Sequence, residues 1–294
     1  MLIPTPTSFL LPFIVAFSAL TLAAPSPPTP RRTLAGISVT DTPVARAAQA
    51  YAQQHCSPGT YQHVMRTWLF GVFILSHNTT LASRIDLEVH ALGLILHDLA
   101  THHSLDAPFV SLDRRFEVDS AVAAADFIRA YDPKGKDWPS WRIQKVWDGI
   151  ALHAEPSIAL HKEADVFAIY WGNELEFSFG RQGGERMGVT EEEYERVHKE
   201  FPSPEEGGGG GGGGILGFVA WYSLCKPEST YNTWMQPYGE LLVEGYSAVG
   251  HRVLDLSLAA AGLNVSELGK RRWMPEVQGE SWSLYRLEDD EYEL

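Results

Sequence analysis

The apolar stretch Leu92-Gly93-Leu94-Ile95-Leu96 runs directly into His97-Asp98. An imidazole and a carboxylate at the end of a run that should be buried are costly inside unless something satisfies them. A metal ion would satisfy both. Other polar groups fall where the apolar periodicity turns inward. His63 sits in the first turn of one apolar segment, His153 lies three residues after Ile150 in another, and Glu176 keeps step with Val166, Ile169 and Asn173 in a third. Imidazole combined with carboxylate suits Zn, Mn or Fe, whereas an all-oxygen shell suits Mg or Ca. A lone His-Asp pair is commonplace, so the expectation rests on the joint pattern.

These residues require helices to position them. Between Pro43 and Leu263 the periodicity is helical and no alternating strand series stands out, so the fold class expected is all-α. Thr60 reads as the N-cap of a helix whose stripe is Val64, Trp68, Gly71, Val72 and Leu75. A second helix is expected from about Arg84 to Ala100, with His97 and Asp98 at its C-terminal end. A third is expected over Asp119 to Ala130, a fourth from Trp141 towards His153, and a fifth from about Glu163. The segments Ile215 to Leu224 and Glu240 to Leu263 return to helix.

The order of motifs resembles the HD-domain superfamily of metal-dependent phosphohydrolases. They are Thr60-Tyr61-Gln62-His63-Val64-Met65-Arg66-Thr67, Leu96-His97-Asp98-Leu99, Arg115-Phe116-Glu117-Val118-Asp119, and Trp147-Asp148-Gly149-Ile150-Ala151-Leu152-His153 followed by His161-Lys162-Glu163. More narrowly they resemble its fungal cyanamide hydratase-like branch, densely from Pro43 to Phe179 and loosely beyond. The resemblance implies an HD-domain helical bundle with His63, His97 and Asp98 as metal ligands. It puts the fourth ligand at Glu176, where the family usually has Asp, with Asp165 as the fallback. The metal implied is a divalent transition ion, zinc first and Fe or Mn next.

His153 and His161 have alternative roles under this resemblance: ligands of a second metal, or catalytic groups that hold substrate and move protons. The second role is favoured. Arg66 and Glu117 are expected beside the ligands or the substrate, or else as surface ion-pair partners. The activity implied is hydration of a small nitrile-like molecule such as cyanamide to urea. Two alternatives stand beside it. One is hydrolysis of a phosphomonoester or nucleotide, for which Arg66, Arg114, Arg115 and Lys162 would supply positive charge. The other is a secreted, inactive binding relative.

The ends of the chain bear on compartment. Leu10 to Ala24 is a short apolar run ahead of Pro25-Ser26-Pro27-Pro28-Thr29-Pro30, the pattern of a cleaved secretory signal, although Met1 to Phe9 carries no Lys or Arg. Residues 1–24 are thus expected to be a signal peptide and 25–42 a Pro-rich linker or pro-segment, with Arg31-Arg32 as a dibasic processing point. The HD-type domain is expected over 43–265, with a Gly-rich insertion at 203–214 and an acidic tail at 266–294. Asn78-Thr79-Thr80 and Asn264-Val265-Ser266 match the N-glycosylation acceptor pattern, consistent with a secreted glycoprotein. Cys56 and Cys225 are the only cysteines, compatible with one long-loop disulfide or with two buried thiols.

A net charge of −14 and a pI near 5.2 disfavour nucleic acid as a partner. The partner expected is a small-molecule substrate, with no membrane in the mature form. The sequence leaves the oligomeric state open.

Overall fold

A computed structural model describes residues 29–203, 214–249 and 251. The expected signal peptide, most of the glycine-rich insertion and the acidic tail lie outside these residues, as does Asn264. The fold is mainly α-helical, with one two-stranded sheet. No helix among the described residues is long and apolar enough to cross a membrane.

The chain enters through an antiparallel hairpin, β1 (Arg31–Leu34) and β2 (Ile37–Thr40), turning at Ala35 and Gly36, both at positive φ. This corrects the expectation of a linker reaching to residue 42. Val39 is buried in the core, and the Thr40 hydroxyl donates to Leu87 O at 3.5 Å. Arg32, expected in a processing site, bonds Gln49 and lies 3.5 Å from the Asp41 carboxylate.

Helix α1 (Pro43–His55) is capped by the Thr42 hydroxyl. Helix α2 (Pro58–His77) starts one turn earlier than expected. Ser57 caps it and Pro58 supplies a preset φ at N1, while the Thr60 hydroxyl bonds those of Ser57 and Thr101. Every residue of α2 from Val64 to Leu75 is buried, so this helix is the axis of the bundle. A short α3 (Thr79–Ala82) follows, capped by Asn78. Next comes α4 (Leu87–Ile95), with Asp86 accepting from the backbone of Glu88 and Val89. It is shorter at both ends than the expected Arg84–Ala100, so His97 and Asp98 stand in the turn beyond it.

Helices α5 (Phe116–Tyr131), α6 (Ser140–Ala151), α7 (Pro156–Ala159) and α8 (Ala164–Ser178) complete the layer around α2. The close approach of α4, α6 and α8 depends on glycine. A β-carbon at Gly93 or at Gly149 would overlap the δ-methyl of Ile169, which therefore fills both gaps. Likewise the His90 ring occupies the space a side chain at Gly71 would need, where α2 and α4 cross.

Short α9 (Gly183–Met187) leads to α10 (Glu191–Glu200), which opens with a Thr190/Glu193 capping box and packs on α2. After the insertion come α11 (Gly214–Cys225) and α12 (Gln236–Leu242). The expected helix from Glu240 is corrected: the chain leaves helix at Val243, and residues 252–263 lie outside the described set. Cys56 and Cys225 are free thiols, so the disulfide alternative does not hold.

Candidate metal centre

Two helix ends build the centre by the same device. The last carbonyls of a helix have no intrahelical partner. His97 stands two residues beyond α4, and its Nδ1 donates to Leu94 O at 2.8 Å. His153 stands two residues beyond α6, and its Nδ1 donates to Ile150 O at 2.6 Å. A carbonyl can only accept, so each ring must carry its proton on Nδ1 and present Nε2 as a bare lone pair. Both rings also sit at the negative end of a helix dipole, which favours a cation.

His63, in the second turn of α2, reaches the same tautomer by another route. Its Nδ1 lies 3.0 Å from Glu176 Oε2. Burial alone would raise the Glu176 carboxyl, but the adjoining His63 and Arg66 more than offset that and hold it down at about 2. The ionised carboxylate can only accept, so His63 donates from Nδ1.

The three Nε2 atoms and Asp98 then converge. His63 Nε2 is 3.1 Å from His97 Nε2 and 3.5 Å from Asp98 Oδ2. His97 Nε2 is 3.7 Å from the same oxygen, and His153 Nε2 is 4.0 Å from Asp98 Oδ1. His63, His97 and Asp98 could hold a metal ion, their ligand atoms all lying within 4.8 Å of one another. Two bare nitrogens facing each other beside a carboxylate repel unless a proton on His63 Nε2 or a metal cation lies between them. The ionisation of the rings reflects this. Burial alone would lower the His63 pKa, but the Glu176 and Asp98 carboxylates raise it. His97 is lowered by burial, and His153 is pushed down to about 3 by burial and then by the neighbouring His97. The field that favours a proton on His63 favours a metal cation equally.

Access is from one side. His97 is fully buried and His153 nearly so, whereas His63 and Asp98 keep 16% and 13% of their side-chain surface. Phe177, half exposed, lies 5.8 Å from the His63 ring at this opening. On the closed side the Phe116 ring packs edge-on against His153 at 5.7 Å.

The other expected site residues separate into those that support the cluster and those that do not reach it. Glu176, expected as fourth ligand, stands behind His63. Both its oxygens are engaged, one by His63 Nδ1 and the other by Arg66 Nη2 at 2.5 Å and Nε at 3.1 Å. A carboxylate spent on Nδ1 orients the ring from outside the ligand set, so the structure corrects that expectation. Arg66 also donates to Phe201 O and Pro202 O, which anchors the chain after α10 to the same array.

The fallback, Asp165, is buried elsewhere. It accepts from Asp86 N at 2.7 Å and pairs with Lys145 at 2.5 Å, holding the start of α4 against α8. His161 lies exposed between α7 and α8, and among the described residues no contact joins it to the cluster, so the structure does not bring it together with His153. Glu117 is fully buried, and its oxygens take bonds from Arg115 and from Trp234 Nε1 at 3.0 Å. It therefore braces the start of α5 and is not a neighbour of the ligands.

Two supporting residues escaped the sequence reading. Asn173 donates to His153 O at 3.4 Å, and the Thr101 hydroxyl donates to Asp98 O at 2.7 Å. Asn173 was visible only as a polar interruption of the α8 stripe. No family model matches the chain, and no curated protein matches it either.

Proposed function

We propose that the protein is a metal-dependent enzyme of the HD-domain type, close to the cyanamide hydratase-like branch. In this reading it adds water to a small, neutral, nitrile-like substrate such as cyanamide. The observation that carries the reading is the set of three imidazoles, each tied at Nδ1 to a buried acceptor, with Nε2 turned towards Asp98. Two imidazole nitrogens and one carboxylate, with a further position left for water, fit zinc best among divalent metals. A bound ion would supply a water of lowered pKa and a Lewis acid for the substrate.

Each residue has a part around that ion. His63, His97 and Asp98 hold it, and Glu176 with Arg66 fixes the His63 ring. His153, neutral and buried, offers its bare Nε2 as acceptor of a hydrogen bond from the attacking water and so orients it. The addition balances without a leaving group: the water oxygen joins carbon, and both hydrogens end on nitrogen, giving urea from cyanamide.

Each cation named for the phosphate alternative is already paired among the described residues. Arg66 is committed to Glu176, Arg114 to Asp119, Arg115 to Glu117 and Glu155, and Lys162 to Asp148 and Glu163. A phosphoryl group would have to break one of these pairs to be neutralised. The apolar run at 10–24 adds export to the reading, with action outside the cell.

Zinc content and product release test the proposal together. The purified protein, dialysed against zinc without chelator, is expected to hold stoichiometric metal and to release urea from cyanamide, while phosphate release from a nucleotide and phosphomonoester panel stays at background. His97→Ala and Asp98→Ala are expected to lose the metal. Phosphate release without urea would transfer the site to the alternative, and metal-free wild-type protein would end both enzyme readings.

A further inference from the structure

Phe116 belongs to an apolar cluster separate from the main core. It packs against Phe218 at 5.1 Å and Tyr222 at 6.1 Å, both on α11, with Val219 and Met235 completing the group. Phe116 also meets His153, the ring centroids 5.7 Å apart in an edge-type contact. One buried ring, 3% exposed, thus stands between the metal centre and a segment that joins the fold only after the insertion.

That segment is fastened by polar bonds to the chain between Ala100 and Asp119. Tyr222 donates its hydroxyl proton to Ala100 O at 2.7 Å. Lys226, almost fully buried, donates to Arg114 O at 3.2 Å and pairs with Asp119 at 3.5 Å. Trp234 donates to Glu117, the residue next to Phe116. Buried bonds of this kind are expensive to leave unmade, so they hold the segment in one register and leave the rings no slack.

We propose that residues 214–235 form a docked cap whose Phe218 holds Phe116 as the size-limiting wall of the substrate space beside His153. This inference rests on the reading of the centre as a metal-dependent enzyme acting on small molecules. It narrows the substrate class to uncharged molecules of a few heavy atoms. An apolar ring offers no hydrogen-bond donor to an anion, and a wall backed by rings that buried bonds hold in place does not retreat for a bulky substituent. Phe116 is the residue the substrate meets. Phe218 acts through it and is a positioning residue.

The test uses neutral nitrogen ligands of two sizes on the full chain loaded with Co2+, whose visible spectrum reports an added ligand. Imidazole is expected to bind the wild type at least about 100-fold more tightly than 4-phenylimidazole, the scale on which shaped pockets discriminate. In Phe116→Leu and Phe218→Ala that ratio should fall about 10-fold or more, with one Co2+ retained and imidazole affinity little changed. An unchanged ratio in both variants, or a wild type that takes both ligands equally, overturns the wall. Loss of Co2+ from both variants also overturns it, because the rings would then be holding the centre together and not sizing it. Failure of the wild type to bind Co2+ at all overturns the metal reading underneath. Cyanamide hydration by the same variants separates the two levels, since a wall defect should raise kcat/KM for N-substituted cyanamides relative to that for cyanamide.

Discussion

At the scale of single residues, Glu176 decides how the centre is built. Periodicity in α8 identified the face it lies on, but no pattern of apolar residues tells whether a carboxylate meets the Nε2 or the Nδ1 side of an imidazole. That depends on the ring orientation at His63, set from another helix more than a hundred residues away. The tautomers of His97 and His153 depend on helix ends that only the structure shows, since each histidine stands two residues beyond its helix, within reach of a carbonyl that needs a donor. The role assigned to Glu176 makes a quantitative difference. Glu176→Gln keeps the shape but removes the charge facing Nδ1, and residues that orient a ligating histidine typically contribute about 10-fold to 100-fold in metal affinity. Competition with a chromophoric chelator should therefore show one zinc per chain at saturation, bound about 10-fold to 100-fold more weakly. Complete loss of binding at saturating zinc would return Glu176 to the ligand set.

At the scale of elements, the helices that carry the centre were legible from their apolar content and periodicity, although α2 and α4 are buried on every side over most of their length. Their ends were less so. Ser57-Pro58 outcompetes Thr60 as a start because proline prefers the first helical position. The apolar run of α4 continues through Ala100, yet the helix ends at Ile95, and the His97 ring takes the Leu94 carbonyl beyond that end. Strands of four residues are too short to show alternation, so the hairpin announced itself only through Ala35-Gly36. What fixes the spacing of α4, α6 and α8 is the δ-methyl of Ile169 between Gly93 and Gly149. Gly93→Ala gains helix propensity, yet it forces overlap with a buried isoleucine, and overpacking of this kind costs about 1–3 kcal/mol. The expected result is a lower urea midpoint, recovered at least in part when Ile169→Val shortens the opposing side chain. A stability unchanged by Gly93→Ala would show that the three helices are not in contact there.

At the scale of the whole molecule, the cap is the part the sequence could not place, because its contacts join residues far apart in the chain, Tyr222 to Ala100 and Trp234 to Glu117. Stability as a function of pH also belongs to this scale, and His90 governs part of it away from the metal centre. Its ring is 1% exposed in the α2–α4 crossing, Nε2 has no hydrogen-bond partner, and burial lowers its pKa from 6.5 to about 4. Because the folded value lies below the unfolded one, the unfolded chain takes up the proton first as pH falls. The contribution of His90 is therefore flat above about pH 6.5, turns against folding between about 6.5 and 4, and levels off below. A shift of this size amounts to about 3 kcal/mol across that window. His90→Gln keeps a polar side chain of similar reach that does not titrate. The metal ligands also take up protons in this range, so the informative quantity is the difference between wild type and variant, both stripped of metal and unfolded by urea. That difference should be constant from pH 8 to 7 and then shift in favour of the variant by about 3 kcal/mol as the pH approaches 4. Parallel curves across the whole range would mean that His90 titrates alike in the folded and unfolded chain, and would overturn the burial of a neutral ring against Gly71 and Leu94.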